Sequence, residues 1–241
     1  MTPVFDSEFR TLLRCSRARF GEEEASGIAG AFEQGFDFSR FLHLMEAHGV
    51  TPLVYRSLRS TCWDRLPADV RTVLEQSARA ATGRCLFLTA ELIRLLGLFD
   101  GAGVRAVPFK GPALAMATYG DIGLRDFSDL DLLVRVDDLD AVQRLLVSQG
   151  YKPREDIAGA QRSLFLRHEC EQGFTRSHNG ILVEIHWRFA QGWFGFPFDL
   201  STRWNNLVEF DLMGCRTWSF SAEDQLLLLC VHGAKHLWSN L

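Results

Sequence analysis

Asp129 and Asp131, two carboxylates separated by one residue, open the apolar run Leu132-Leu133-Val134 in a chain of 241 residues. A short apolar run of this kind reads as a buried strand. Alternation along a strand sends Asp129 and Asp131 to one face and Leu130 and Leu132 to the other. Two anions held that close repel each other. A divalent cation between them relieves the repulsion, and such an ion is what phosphoryl or nucleotidyl transfer needs. Upstream, Val107-Pro108-Phe109-Lys110-Gly111-Pro112 places a glycine-bearing turn before a short helix. Pro112 is harmless in a first helical turn, where its missing N–H has no intrahelical partner.

The elements that must position these residues follow from periodicity. The first hundred residues read as helical: 9–20, 38–49 and 53–58 are short amphipathic stretches. A longer helix over 68–99 carries Cys85, Leu88, Leu92, Leu96 and Phe99 at helical spacing and is stopped by Gly101 and Gly103. Beyond Gly103 the pattern predicts a strand over 104–109, a helix over 112–119, a strand over 129–136 and a helix over 139–149. Asp137 and Asp138 are expected to cap that last helix, where carboxylates favour the positive end of the dipole. Residues 173–174 and 181–187 read as paired strands joined by Ser177-His178-Asn179-Gly180, whose Asn-Gly step signals a hairpin. The aromatic, glycine-rich segment 189–198 reads as a loop, and Ser221 as the N-cap of a final helix over 223–238. The apolar end of that helix fits a chain that continues past Leu241.

Composition narrows the class. The chain is 47% hydrophobic and 23% charged, as an ordinary globular protein is. Lys and Arg number 26 against 30 Asp and Glu, a net charge of -4 that lacks the footprint of a general nucleic-acid binder. The longest apolar run, 226–231, falls far short of the ~20 residues that cross a bilayer, and residues 1–6 lack the basic start and apolar core of a secretory signal. A cytoplasmic location without a membrane partner is the expectation. Six dispersed cysteines lack zinc-type spacing and are expected to be reduced and mainly buried.

Taken in order, Lys110-Gly111, Arg125, Asp129-Leu130-Asp131-Leu132-Leu133-Val134 and Glu184-Ile185-His186-Trp187 resemble an uncharacterised bacterial nucleotidyltransferase family within the superfamily that includes DNA polymerase beta. The final helix, with His232, Lys235 and His236, fits the same resemblance. It implies an α+β fold: a nucleotidyltransferase-like small mixed sheet with flanking helices over 101–220, preceded by a helical region over 1–100 and followed by a C-terminal helix over 221–241. It also implies two magnesium ions, with manganese as the alternative, held roughly 3.5–4 Å apart by two carboxylates on one strand and a third on a neighbour. Asp129 and Asp131 fill the first two positions. Glu184 is the candidate for the third, because Ile181, Val183 and Ile185 face one way along their strand and Glu184 and His186 the other. Pairing of Glu184 with Arg125 or Arg188 is the structural alternative.

In the superfamily a Gly-Ser at a helix start cradles the triphosphate on backbone N–H groups. Here Lys110-Gly111 stands in that place, without the serine, and Lys110 adds a flexible positive charge. Arg125 contacts phosphate or clamps Asp126; Ser128 orients a ligand or forms a local turn. His186 touches substrate or fills a half-buried core position. His232 and His236 lie four apart on one helical face with Lys235 beside them. That spacing suits phosphate contact, helix packing or, least well, zinc, since a zinc-protease glutamate is missing. The leading expectation is transfer of an NMP from an NTP, ATP first, to a small-molecule or protein acceptor. A non-catalytic nucleotide-binding or partner module on the same fold is the second.

Overall fold

Side-chain caps set the helix starts at the N-terminal end of the computed structural model, which describes residues 6–32, 35–155, 157, 159–191, 200–235 and 237. Asp6 accepts the Phe9 N–H at 2.9 Å and starts α1 (Ser7–Cys15), and Asp37 accepts the Arg40 N–H at 3.0 Å and starts α3 (Phe38–Ala47). Between them lies α2 (Glu22–Ala29), and α4 (Thr51–Thr61) begins with Pro52 in its first turn. Then α5 runs for 34 residues, Ala68–Gly101. Two compact units divide the chain. The first comprises residues up to Leu86 together with Tyr119–Phe127. Leu12, Phe41, Met45, Val54, Leu58 and Leu74 form its core.

The second unit holds Phe87–Thr118 and the residues from Ser128 onward. Its sheet is built from β1 (Val107–Pro108), β2 (Asp129–Leu133), β3 (Tyr151–Pro153), β4 (Glu171–Arg176) and β5 (Leu182–His186), in the order β1-β2-β5-β4-β3. Only β2 and β5 run parallel; the other pairs are antiparallel. The fold is therefore α+β with a small mixed sheet. Helices α6 (Gly111–Tyr119), α7 (Leu139–Ser148) and α8 (Ala160–His168) fill the connections. Further on come α9 (Leu200–Asn205), the hairpin of β6 (Val208–Leu212) and β7 (Cys215–Ser219), and α10 (Ala222–Lys235). Ser221 caps α10, accepting the Asp224 N–H at 3.2 Å. Rather than standing apart, α10 shares a core with the sheet: Leu228 clusters with Val107, Phe109, Leu133, Trp204 and Phe220.

Several expectations shift in detail. The strand predicted over 104–109 pairs only at Val107–Pro108, because the chain must turn into α6 at Gly111. β2 stops at Leu133, and Val136–Asp138 is a 3-10 turn leading straight into α7, so Asp138 is already helical and caps nothing with its side chain. The loop expected over 189–198 lies outside the described residues from 192 onward. Cys15, Cys62, Cys85 and Cys170 are buried free thiols, and burial pushes Cys15 up to about 12 and Cys85 and Cys170 up to about 11. No described helix is long and apolar enough to cross a membrane.

The face of the sheet opposite Asp131 is apolar, with Leu130, Leu132, Phe174, Val183 and Ile185 buried, and one charged group is sealed beside it. Glu91 on α5 accepts the Tyr151 hydroxyl at 2.6 Å, Arg94 through both oxygens and Arg176 at 3.0 Å. Burial alone raises the Glu91 pKa, but the Arg94 and Tyr151 hydrogen bonds outweigh it and leave the carboxyl below the ordinary glutamate value. A depressed native pKa adds stability above the unfolded value, and that stability is lost as pH falls through the native one. Glu91→Ala strands two arginines and is expected to lower unfolding free energy by about 3 kcal/mol. Glu91→Gln should in addition flatten the fall of urea-unfolding stability below about pH 4.

Candidate active site

Parallel pairing of β2 with β5 places Asp131 directly opposite Glu184 and Leu133 opposite His186, while antiparallel pairing of β4 with β5 puts Glu171 opposite His186. Directly paired residues share a face, so Asp131, Glu184, His186 and Glu171 all rise from one side of the sheet. Asp131 is 4% exposed and His186 3%. Neither could stay charged there alone.

Their charges are met locally. Lys110 Nζ donates to Asp131 Oδ1 at 2.8 Å, and His186 Nε2 reaches the same oxygen at 3.1 Å. Glu184 Oε2 lies 3.7 Å from His186 Nε2. On the far side of the ring Glu171 Oε2 is 3.2 Å from Nδ1, an ion-pair distance off the direction of a hydrogen bond. Lys235 of α10 then reaches Glu171 at 3.6 Å and the Cys170 thiol at 3.7 Å. A chain of alternating charge thus runs Lys110, Asp131, His186, Glu171, Lys235.

The pKa directions follow. Burial pushes Asp131 up, but the His186 hydrogen bond and the Lys110 charge hold it well below the usual carboxylate range. Glu184 is lowered, chiefly by the His186 ring beside it. Burial pushes His186 down, and its hydrogen bond to Asp131 together with the nearby Glu184 carboxylate outweighs that and raises it.

The turn that delivers Lys110 depends on Gly111. This first residue of α6 has φ +50°, in the left-handed region that penalises any Cβ. Phe109 fixes the turn from the other side, standing edge-on to the His186 ring with centroids 4.9 Å apart, and its carbonyl accepts the Gln225 amide of α10 at 2.7 Å.

Of the residues singled out by sequence, Lys110, Asp131, Glu184 and His186 meet directly. Asp129 is half-buried on the same face, two residues from Asp131. Ligand atoms of Asp131, Glu184 and His186 lie within 4.8 Å of one another, and this trio could hold a cation. Two carboxylates and an imidazole suit manganese at least as well as magnesium. Ser128 is exposed at the bend before β2. Arg125 belongs to the first unit, where the Cys85 thiol donates to its carbonyl at 3.2 Å. The bidentate clamp on Asp126 expected of Arg125 is made by Arg84 instead, at 2.6 and 2.8 Å, because Arg84 projects from α5 toward the same loop. Arg188 donates to the Arg167 carbonyl rather than to Glu184. Lys235 enters the charge chain, His232 lies on α10 one turn earlier, and His236 is outside the described residues. Glu171 and Phe109 were not anticipated. Strand alternation would have found Glu171 had β4 been extended back to its true start.

A family model described as uncharacterised nucleotidyltransferase matches residues 34–241. The chain belongs to this family. The nucleotidyltransferase family accounts for an enzyme that takes an NTP and an acceptor. No curated protein matches the chain in sequence. Among solved structures, the lincosamide antibiotic adenylyltransferase LnuA in its lincomycin-bound crystal structure is similar over 57% of this chain and 83% of its own, at 17% identity and a TM-score of 0.40. A putative nucleotidyltransferase from Thermotoga maritima is similar over 61% and 88%, at 16% identity and a TM-score of 0.40. An antigenic nucleotidyltransferase-like protein from Paracoccidioides brasiliensis is similar over 58% and 62%, at 19% identity and a TM-score of 0.34.

Lys110→Met should leave Asp131 with His186 as its one resident counter-charge. The expected loss is about 2 kcal/mol of unfolding free energy, read from urea midpoints. Lys110→Arg should recover part of it.

Proposed function

We propose that this nucleotidyltransferase moves an NMP, AMP first, from an NTP onto a hydroxyl or phosphate of a small-molecule or protein acceptor, with a divalent ion, magnesium or manganese, at the Asp131 cluster. The observation that carries this reading is a buried carboxylate on β2 in register with a second carboxylate on β5. Asp131 and Glu184 would hold the ion, with Asp129 beside them and His186 bracing both. A carboxyl held below its ordinary pKa is a weak base and a good ligand, which favours ion binding over proton abstraction for Glu184. When bound, the ion lowers the charge of the phosphates and of the departing pyrophosphate.

The rest falls to the chain. Lys110 and the N-terminus of α6 face anionic phosphate at the glycine turn, and Lys235 and His232 on α10 add further cationic or polar contacts. The acceptor oxygen bonds to the α-phosphorus as the bond to the pyrophosphate oxygen breaks, and the acceptor's proton is released to solvent.

One observation favours a second reading, a nucleotide-binding module without turnover: Lys110 and His186 both engage Asp131 Oδ1, the oxygen that an ion would need. Incubation with each α-labelled NTP, magnesium or manganese, and panels of small hydroxylated molecules and proteins separates the two. Transfer should require the divalent ion and fall about a thousandfold in Asp131→Asn and Glu184→Gln. Nucleotide binding with no pyrophosphate release across every acceptor would favour the module.

A further inference from the structure

Two helix faces in the first unit border a cleft rather than a neighbour. Pro52, Tyr55 and Arg59 follow one another along α4 at spacings of three and four, and Ala78, Thr82 and Leu86 along α5 at spacings of four, so each set lines one side of its helix. The cleft between them measures about 810 Å³, and the turn Ile122–Leu124 adds Gly123 and Leu124 to its wall. All of these residues belong to the first unit. That volume falls within the roughly 300–1,000 Å³ of small-molecule sites, and the lining is well short of the roughly 20–30 residues per side that a protein interface takes.

The interior of the cleft is apolar. Leu86 is 50% exposed along its wall, and Leu124 is half-buried there. The two hydroxyls that border it are turned back on their own helices: Ser60 donates to the Ser57 carbonyl at 3.0 Å and Thr82 to the Ala78 carbonyl at 2.9 Å. Gly83 contributes bare backbone. A Cβ built on it would meet no atom within 4 Å, and its φ is not in the left-handed region. Neither packing nor backbone conformation asks for glycine at this position inside α5, where glycine weakens a helix. What the missing side chain supplies is room.

The rim carries charge of one sign. Among the described residues, Arg56, Arg59 and Arg79 border the cleft against a single carboxylate, Asp121, which is engaged in accepting the Gly123 N–H at 2.8 Å. Arg56 donates to the Arg17 and Ala18 carbonyls at 2.9 Å each, contacts that fix its position and leave its charge uncancelled. Arg59 lies over the Trp63 ring at 4.9 Å, with Glu75 4.0 Å away. Arg79 has no carboxylate partner among the described residues. An apolar hollow rimmed by guanidiniums is complementary to an apolar body that carries an anion.

We propose that this cleft binds a small molecule with an apolar body and one anionic group, the body lying on α5 over Gly83 and the anion meeting Arg79. The site is independent of the transfer reading above. Anilinonaphthalene sulfonate and phenylnaphthylamine share one aromatic body and differ by the sulfonate, so fluorescence titration of the full chain with each tests both halves of the assignment. The sulfonate should bind at one saturable site, about tenfold more tightly than the amine. Gly83→Leu, which fills the cleft and replaces a helix-weakening residue, should weaken both probes about tenfold without lowering the urea-unfolding midpoint. Arg79→Ala should bring the sulfonate down to the level of the amine and leave the amine unchanged, and Arg79→Lys should recover part of the difference. Equal affinity of the wild type for the two probes, or selectivity for the sulfonate that survives Arg79→Ala, overturns the anion contact. Undiminished binding by Gly83→Leu, or no saturable site in the wild type, overturns the cleft itself. Should Gly83→Leu fold poorly, Gly83→Ala and the Arg79 variants decide by the same criteria.

Discussion

Keeping Asp131 ionised in a nearly solvent-free position is the constraint around which the second unit is organised. Its carboxylate has lost hydration, and that loss must be repaid by cations at fixed places. Lys110 and His186 supply them, and each brings a requirement of its own. Lys110 needs the left-handed glycine turn between β1 and α6; His186 needs β5 parallel to β2 in one register, since a one-residue slip would turn it to the opposite face. Glu171 and Lys235 then extend the compensation to β4 and α10. The site is a consequence of charge balance before it is anything else.

The two faces of the sheet solve opposite problems. One is a packed apolar layer that tolerates a single carboxylate, Glu91, because two arginines and a tyrosine enclose it. The other concentrates acids in adjoining rows, Asp129 in one and Asp131 with Glu184 in the next. Alternation along β2 and β5 makes this division: Leu130 is followed by Asp131, Val183 by Glu184 and Ile185 by His186.

How much of this could be read from the chain depends on the strength of local signals. The Asp129 to Leu133 strand, the Asn179-Gly180 hairpin and the Glu184/His186 face were legible because alternation, turn chemistry and apolar content agreed. Lys110 was legible as a cation near a glycine turn, but its partner was not, since only register decides that it meets Asp131. β3 has three residues, one of them Pro153, too short to show a period. The β6–β7 hairpin turns through Met213 at φ +53° and Gly214 at φ +87°, and methionine gives no warning of a left-handed turn where asparagine would have. Residues 119–127 fold with the first unit, an affiliation set by contacts such as Arg84 with Asp126 that no local pattern announces.

The parallel pairing of β2 and β5 also governs when the site comes into being. Parallel neighbours cannot be joined by a tight turn, and here the imidazole follows its aspartate by 55 residues. During synthesis Lys110 and Asp131 are made well before His186, so the acid stays hydrated through that interval. Closing so long a loop is entropically slow. Burial of Asp131 against His186 therefore waits until β5 has been made, and a nascent chain that stops before β5 leaves the acidic strand without its parallel partner.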